Sequence, residues 1–124
     1  MELFNRLDTD FKNMDERGGF VQLVHQGYVQ INVINTVAGG QRGGHYHKSA
    51  KEAFYIISGS TKVELQSIDN KAVCKKIFSD GDFFYIPPFV MHTFSFTEDC
   101  VMLSMYDRHI IDEQGVKDIY YIEG

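Results

Sequence analysis

The sequence predicts an all-β fold, a sandwich or small barrel, on three observations. Short apolar runs rich in Val, Ile, Phe and Tyr recur along the chain, each bounded by Gly, Asp, Asn or Pro turn signals. No helical period lasts more than two turns. The segment Tyr28 to Asn35 alternates, with Val29, Ile31 and Val33 on one face and Gln30 and Asn32 on the other. At 124 residues the chain can bury one core and is too short for two, so one domain over residues 1–124 is expected.

Taken in order, Met1 to Met14 carries Leu3, Phe4, Leu7 and Phe11 without a clean period and reads as a short strand or N-terminal arm over about residues 1–14. Asp15-Glu16-Arg17-Gly18-Gly19 is a turn, and Phe20 to Val24 a strand. In a small barrel, one face of the alternating Tyr28 segment packs and the other lines the interior. Gln30 and Asn32 are therefore pocket groups or solvent-facing residues. Thr36 to Gly44 reads as a glycine-rich loop, and it lacks the strand-to-helix setting of a phosphate-binding fingerprint. Ala53 to Ile57 reads as a buried strand closed by Ser58-Gly59-Ser60. Thr61 to Ile68 and Ala72 to Phe78 form a hairpin about Asp69-Asn70-Lys71. Asp82 to Ile86, Met91 to Phe96 and Cys100 to Tyr106 complete the set, with Pro87-Pro88 as a corner and Asp118 to Ile122 as a last strand.

A net charge of −5 without a basic run argues against nucleic-acid or membrane-surface partners. A local cluster such as Arg42, Lys48 and Lys51 can still bind a small anion. Cys74 and Cys100 are far apart in apolar runs, which argues against a disulfide framework and for small core or surface residues. No N-terminal stretch resembles a signal peptide and no run approaches a membrane span, so a cytoplasmic location is expected. His25 and His109 lie beside turn-like segments and read as surface residues.

One constellation carries chemistry. His45 and His47 are one residue apart, so on an extended strand they project to the same side and can share a ligand. Glu52 opens the next buried run, and His92 follows the proline corner. Imidazole nitrogens with one carboxylate suit zinc, nickel, manganese or iron better than magnesium or calcium. One divalent ion held by His45, His47, Glu52 and His92 is expected.

With those residues in hand, a family resemblance emerges. Gly39, His45-x-His47, Glu52 and Gly59 match the first cupin motif in identity and spacing. Gly81, Pro87 and His92 resemble the second, with Phe89 at a position where that motif has glycine and Phe96 where it has asparagine. The resemblance implies a single-domain cupin, a double-stranded β-helix of the RmlC-like jelly-roll type.

Asp15-Glu16-Arg17-Gly18 is similar to the Asp-x-Arg-Gly segment of cupins acting on nucleotide-linked deoxysugars. Arg42-Gly43-Gly44-His45-Tyr46 resembles a motif of the dTDP-4-dehydrorhamnose 3,5-epimerases, and Arg42 to Lys48 one of the dTDP-sugar 3,4-ketoisomerases. Gln30 to Gly59 with Asp118 to Glu123 looks most like the C-terminal cupin domain of bifunctional capsular-polysaccharide epimerase-reductases. These resemblances imply polysaccharide biosynthesis and proton abstraction beside the ketone of a nucleotide-linked 4-keto sugar, followed by epimerisation or keto-isomerisation. Arg42, Lys48, Gln30 and Asn32 are the expected substrate-binding residues. His45 is the base if the site works without metal, and Arg42 or a bound ion supplies the electrophile. Tyr46, Tyr55, Tyr85 and Tyr106 are candidate proton donors.

Two other classes stay open among cupins: a metal-dependent dioxygenase using the same four ligands, and a small-ligand binder without turnover. The apolar arm, Leu3, Phe4, Leu7 and Phe11, together with open strand edges, predicts a two-fold homodimer.

Overall fold

Most strands pair with partners distant in the chain rather than with their immediate predecessors in the computed structural model, which describes residues 3–122. In chain order the strands are β1 (Asn5–Arg6), β2 (Phe11–Asp15), β3 (Gly18–Gln22), β4 (Gln30–Thr36), β5 (Gln41–His45), β6 (Glu52–Ser58), β7 (Ser60–Ser67), β8 (Val73–Ser79), β9 (Phe83–Ile86), β10 (Val90–Ser95) and β11 (Cys100–Tyr106). One sheet has the order β1-β9-β6-β11-β4, the second β5-β10-β7-β8, and β2-β3 is a separate hairpin. All pairings are antiparallel. This is the all-β jelly-roll class, and no helix occurs among the described residues.

Period-two burial explains how the sheets close on one another. Along β7, Thr61, Val63, Leu65 and Ser67 are buried while Lys62 and Glu64 face solvent. Val90, His92 and Phe94 are the buried set of β10. The core between the sheets is aromatic: Phe78 and Phe84 stack with centroids 3.7 Å apart, and Phe54 packs on Phe84 at 5.5 Å. Leu3 and Phe4 belong to this same core. The N-terminal arm is therefore half consumed at home, and its first apolar pair offers nothing to a second copy. Met1 and Glu2 lie outside the described residues.

Two other expectations need correction. The supposed glycine loop is a loop only over residues 37–40; Gln41–His45 is strand β5, paired with β10. The pairing register shifts between His92 and Thr93, opposite Gly43. Gly43 has φ +92°, and a Cβ there would sit 2.5 Å from the His92 carbonyl oxygen. Only glycine allows so close a backbone approach. The tail, in turn, is not a strand. Tyr46 and Tyr120 exchange a pair of 2.9 Å backbone hydrogen bonds as an isolated bridge. The ladder stops there because the next pair is engaged elsewhere: the Lys48 N–H goes to the Asp118 carboxylate at 2.7 Å and the Asp118 N–H to the Ile110 carbonyl at 2.8 Å.

Phe89, at the position where the second cupin motif has glycine, adopts φ +63°. That left-handed conformation is unfavourable for a bulky side chain. It is held by two backbone bonds, Phe89 N–H to the His47 carbonyl and Ile68 N–H to the Phe89 carbonyl at 2.9 Å.

Candidate metal and substrate site

The four candidate ligands come from both sheets. Cross-strand register sets His92 on β10 opposite His45 on β5, with ring centroids 4.8 Å apart. Glu52 heads β6 in the facing sheet, and His47 follows β5 as the chain turns inward. One donor atom from each of the four lies within 4.8 Å of every other. His47, Glu52 and His92 are buried, whereas His45 is half-buried.

Backbone carbonyls set the ring orientations. His47 Nδ1 donates to the Asp118 carbonyl at 2.6 Å and His92 Nδ1 to the Val90 carbonyl at 3.2 Å. Both Nε2 atoms are thereby turned toward Glu52, at 3.1 Å for His47 and 3.4 Å for His92. The Ser104 hydroxyl donates to the other Glu52 oxygen. His92 Nε2 is buried without a hydrogen-bond partner. Buried nitrogens rarely stay unsatisfied, and this one faces the point where the other donors converge. The donor set, three imidazoles and one carboxylate, with second partners in place for His47, His92 and Glu52, fits a divalent transition ion.

The electrostatics agree with an acceptor-rich centre. Burial pushes the Glu52 carboxyl up, but the hydrogen bonds from His47 and Ser104 and the close His92 imidazole outweigh it and hold the carboxyl well below its usual range. Burial pulls His47 down, and its bonds to Glu52 and the Asp118 carbonyl leave it raised. His45, with burial and the neighbouring His92 and His47 acting together, is lowered to about 4 and is neutral at physiological pH. Burial and the Glu52 charge push the Tyr106 phenol up, so it remains a proton-bearing donor.

A cavity of about 320 Å³ opens onto this cluster. His45, Glu52 and His92 form its polar floor, Ile34, Phe54, Phe94 and Met102 its apolar walls, and Asn32, Arg42, Ser104 and Tyr106 further polar groups. Arg42 is tethered, its Nε donating to Thr36 Oγ1 at 2.7 Å and one terminal nitrogen to the Asn35 carbonyl at 3.1 Å. The rest of its donor fork is not used by these anchors.

Asn32 thus lines the cavity, but Gln30, although on the same face of β4, does not. Lys48 is also outside, with Nζ 4.1 Å over the Tyr120 ring. Lys51 lies over Tyr85 at 4.4 Å. Arg42, Lys48 and Lys51 therefore do not form one anion cluster. Of the candidate tyrosines only Tyr106 lines the cavity, while Tyr55 and Tyr85 pack against Ala53, Phe83 and Met105. His25 and His109 are exposed. The Asp15–Gly18 segment forms the β2–β3 turn, with Arg17 paired to Asp15 at 2.6 Å, and no residue of it lines this cavity.

Two site residues escaped the sequence reading. Ser104 lies on β11, where alternation marks only an inward residue, and Asp118 acts through its carbonyl, which no side-chain pattern reports. Its carboxylate accepts the backbone N–H groups of Lys48, Ser49 and Ala50 at 2.7, 3.0 and 2.8 Å, fastening the loop between His47 and Glu52.

Residues 13–119 match the family described as polysaccharide biosynthesis C-terminal domain. The chain belongs to this family. Solved structures place the family's fold among the RmlC-like cupins. The capsular polysaccharide assembling protein CapF from Staphylococcus aureus is 20% identical with a TM-score of 0.68, over 95% of this chain and 33% of CapF. The chain thus spans about a third of that protein's length. A double mutant of the QdtA 3,4-ketoisomerase from Thermoanaerobacterium thermosaccharolyticum, in complex with TDP, is 25% identical with a TM-score of 0.69, over 94% of this chain and 83% of the other. The dTDP-4-dehydrorhamnose 3,5-epimerase from Sulfolobus tokodaii is 19% identical with a TM-score of 0.68, over 79% and 66%. No curated protein sequence matches the chain.

Proposed function

We propose that this cupin is an isomerase or epimerase that removes a proton beside the ketone of a nucleotide-linked 4-keto sugar in polysaccharide biosynthesis, with one divalent ion in its barrel. One observation carries the reading: three imidazoles and a carboxylate cluster together, and His45, His92 and Glu52 of that cluster line a cavity that also presents an anchored arginine. The family and the ketoisomerase and epimerase neighbours support the substrate class.

His45, His47, Glu52 and His92 would hold zinc, nickel, manganese or iron. Bound there, such an ion supplies Lewis acidity to a ketone oxygen and stabilises the charge of an enolate. Arg42, preset by Thr36 and Asn35, directs its remaining N–H donors to a substrate oxygen. Ile34, Phe54 and Met102 exclude water from the reacting carbon, and Tyr106 keeps its proton for delivery.

A second reading has its own observation. Unlike His47 and His92, His45 makes no side-chain contact with Glu52 and stands half-buried at the cavity wall. In a metal-independent enzyme His45 would be the base.

The test incubates the protein with a nucleotide-linked 4-keto-6-deoxy sugar in deuterated water and follows the carbon beside the ketone by NMR. Deuterium uptake is expected. Elemental analysis of wild type, His47→Ala and Glu52→Gln, with exchange repeated after chelation, separates the two readings. Exchange that survives in metal-free protein assigns the base to His45. No exchange, with oxygen consumption by iron-loaded protein, would favour a dioxygenase. Neither activity with retained ligand affinity would favour a binder.

The same reading includes a homodimer. Ile31 and Val33 project from edge strand β4 at 60% and 65% exposure, and Val29 just before it at 55%, a row of branched apolar side chains beside an unpaired strand edge. Light scattering is expected to give twice the chain mass at micromolar concentration, and a monomer mass would remove the dimer.

A further inference from the structure

A larger groove, about 580 Å³, lies on the other side of the metal-ligand strand. Tyr46 sits between His45 and His47, so alternation turns it away from the barrel. The Tyr46–Tyr120 bridge then sets both rings on one outer wall, with centroids 5.7 Å apart and planes tilted by 33°. Lys48 places its ammonium over Tyr120, and Lys71 stands in the groove lining from the β7–β8 turn, where φ is +61°. Gln66 adds a side-chain amide.

Among the described residues no carboxylate lines this groove, although the chain carries a net charge of −5. The nearby Asp118 carboxylate is engaged by three backbone N–H groups and does not neutralise the lysines by direct pairing. Paired aromatic rings favour a flat heterocycle, two ammonium groups favour phosphate, and an amide can read a base edge. Tyr121 also lines the groove, and its ring stands edge-on to His45 of the cavity with centroids 6.3 Å apart, which brings the two openings close together.

We propose that this groove binds the nucleoside diphosphate part of the substrate, leaving the linked sugar to the cavity at His45. The proposal rests on the nucleotide-sugar reading for its second half only. Its ligand chemistry, a planar base with a diphosphate, follows from the groove's own residues.

Isothermal titration with thymidine and uridine diphosphate, and separately with inorganic pyrophosphate, tests it on wild type, Lys48→Gln/Lys71→Gln and Tyr120→Leu. The lysine pair is exposed, so that variant keeps the test intact if Tyr120→Leu fails to fold. Wild type is expected to bind at least one nucleoside diphosphate. The lysine variant should bind it at least tenfold more weakly and lose pyrophosphate as well, and Tyr120→Leu should weaken the nucleotide but not pyrophosphate. Unchanged affinity in the lysine variant, or no binding of either nucleotide by wild type, overturns the groove. Deuterium exchange into the 4-keto sugar distinguishes the two readings. Exchange with unaltered nucleotide affinity in the variants sinks the groove alone; groove-dependent nucleotide binding without exchange or sugar affinity supports the groove and sinks the sugar chemistry.

Discussion

Asp118 holds His47 by its carbonyl and the loop after His47 by its carboxylate. The first bond is 2.6 Å long, and the second group accepts three N–H donors. Outer partners of this type fix ring orientation, and their loss typically costs about 10–100-fold in metal affinity. Asp118→Ala keeps the carbonyl but releases residues 48–50, so His47 loses its fixed approach. Ion affinity is expected to fall about tenfold, read by competition with a chromogenic chelator. Unfolding by urea should show a loss of about 1–3 kcal/mol. Unchanged ion affinity would reduce Asp118 to a loop fastener.

Arg42→Lys tests the arginine fork. A single ammonium cannot reproduce the bonds to Thr36 and Asn35 while still reaching substrate, so the variant should fold normally and bind nucleotide-sugar at least about tenfold more weakly. Calorimetric titration provides the comparison. Equal affinity would make Arg42 a solvated edge charge.

Gly43→Ala addresses the bulge that faces His92. An added Cβ would have to move a backbone carbonyl 2.5 Å away, at a φ that alanine disfavours. The expected cost is about 2–3 kcal/mol, with a lower melting temperature and weaker ion retention, because the displaced carbonyl belongs to a ligand residue. A melting temperature equal to wild type would contradict the bulge.

At position 89 the prediction has the opposite sign. Phe89→Gly removes a partly exposed ring but also removes left-handed strain of about 1–2 kcal/mol, so stability should stay level or rise. Phe84→Ala, deep in the core, should lose about 3–5 kcal/mol. Denaturant midpoints compare the two, and a large loss in Phe89→Gly would show that the ring, not the backbone, matters there.

The dependence on pH can be read outside the metal cluster. Asp10 accepts hydrogen bonds from Gln22 and, through Nδ1, from His25, both at 2.8 Å, and these hold its carboxyl below the usual aspartate range. A lowered carboxyl stabilises the fold above its unfolded pKa and loses that contribution as pH falls through the folded value. The effect is small because the pair is solvent-exposed. NMR titration should give a low Asp10 pKa in wild type that returns toward the ordinary value in Gln22→Ala. An ordinary value in wild type would discard the bond.

Much of this was legible in residue spacing. H-x-H puts two imidazoles on one side of any extended backbone, and the buried runs after Glu52 and before His92 point to the same interior. The geometry that finishes the site was not legible. Asp118 reaches His47 across 71 residues through a backbone atom, and Ser104 reaches Glu52 across 52. Gln30 and Asn32 share a face, and only tertiary packing decides which of them borders the cavity. The glycine run read as a loop because a bulged strand needs the same residues as a turn. The tail read as a strand because its composition is right, although only one bridge finds free partners on β5's continuation.

The reach from His47 to Asp118 also imposes an order on assembly during synthesis. All four candidate ligands, the last being His92, leave the ribosome before residue 118 does. A nascent chain therefore carries these candidate ligands for a time without the carbonyl that orients one of them, and any metal selection at that stage would be made by an unfinished site.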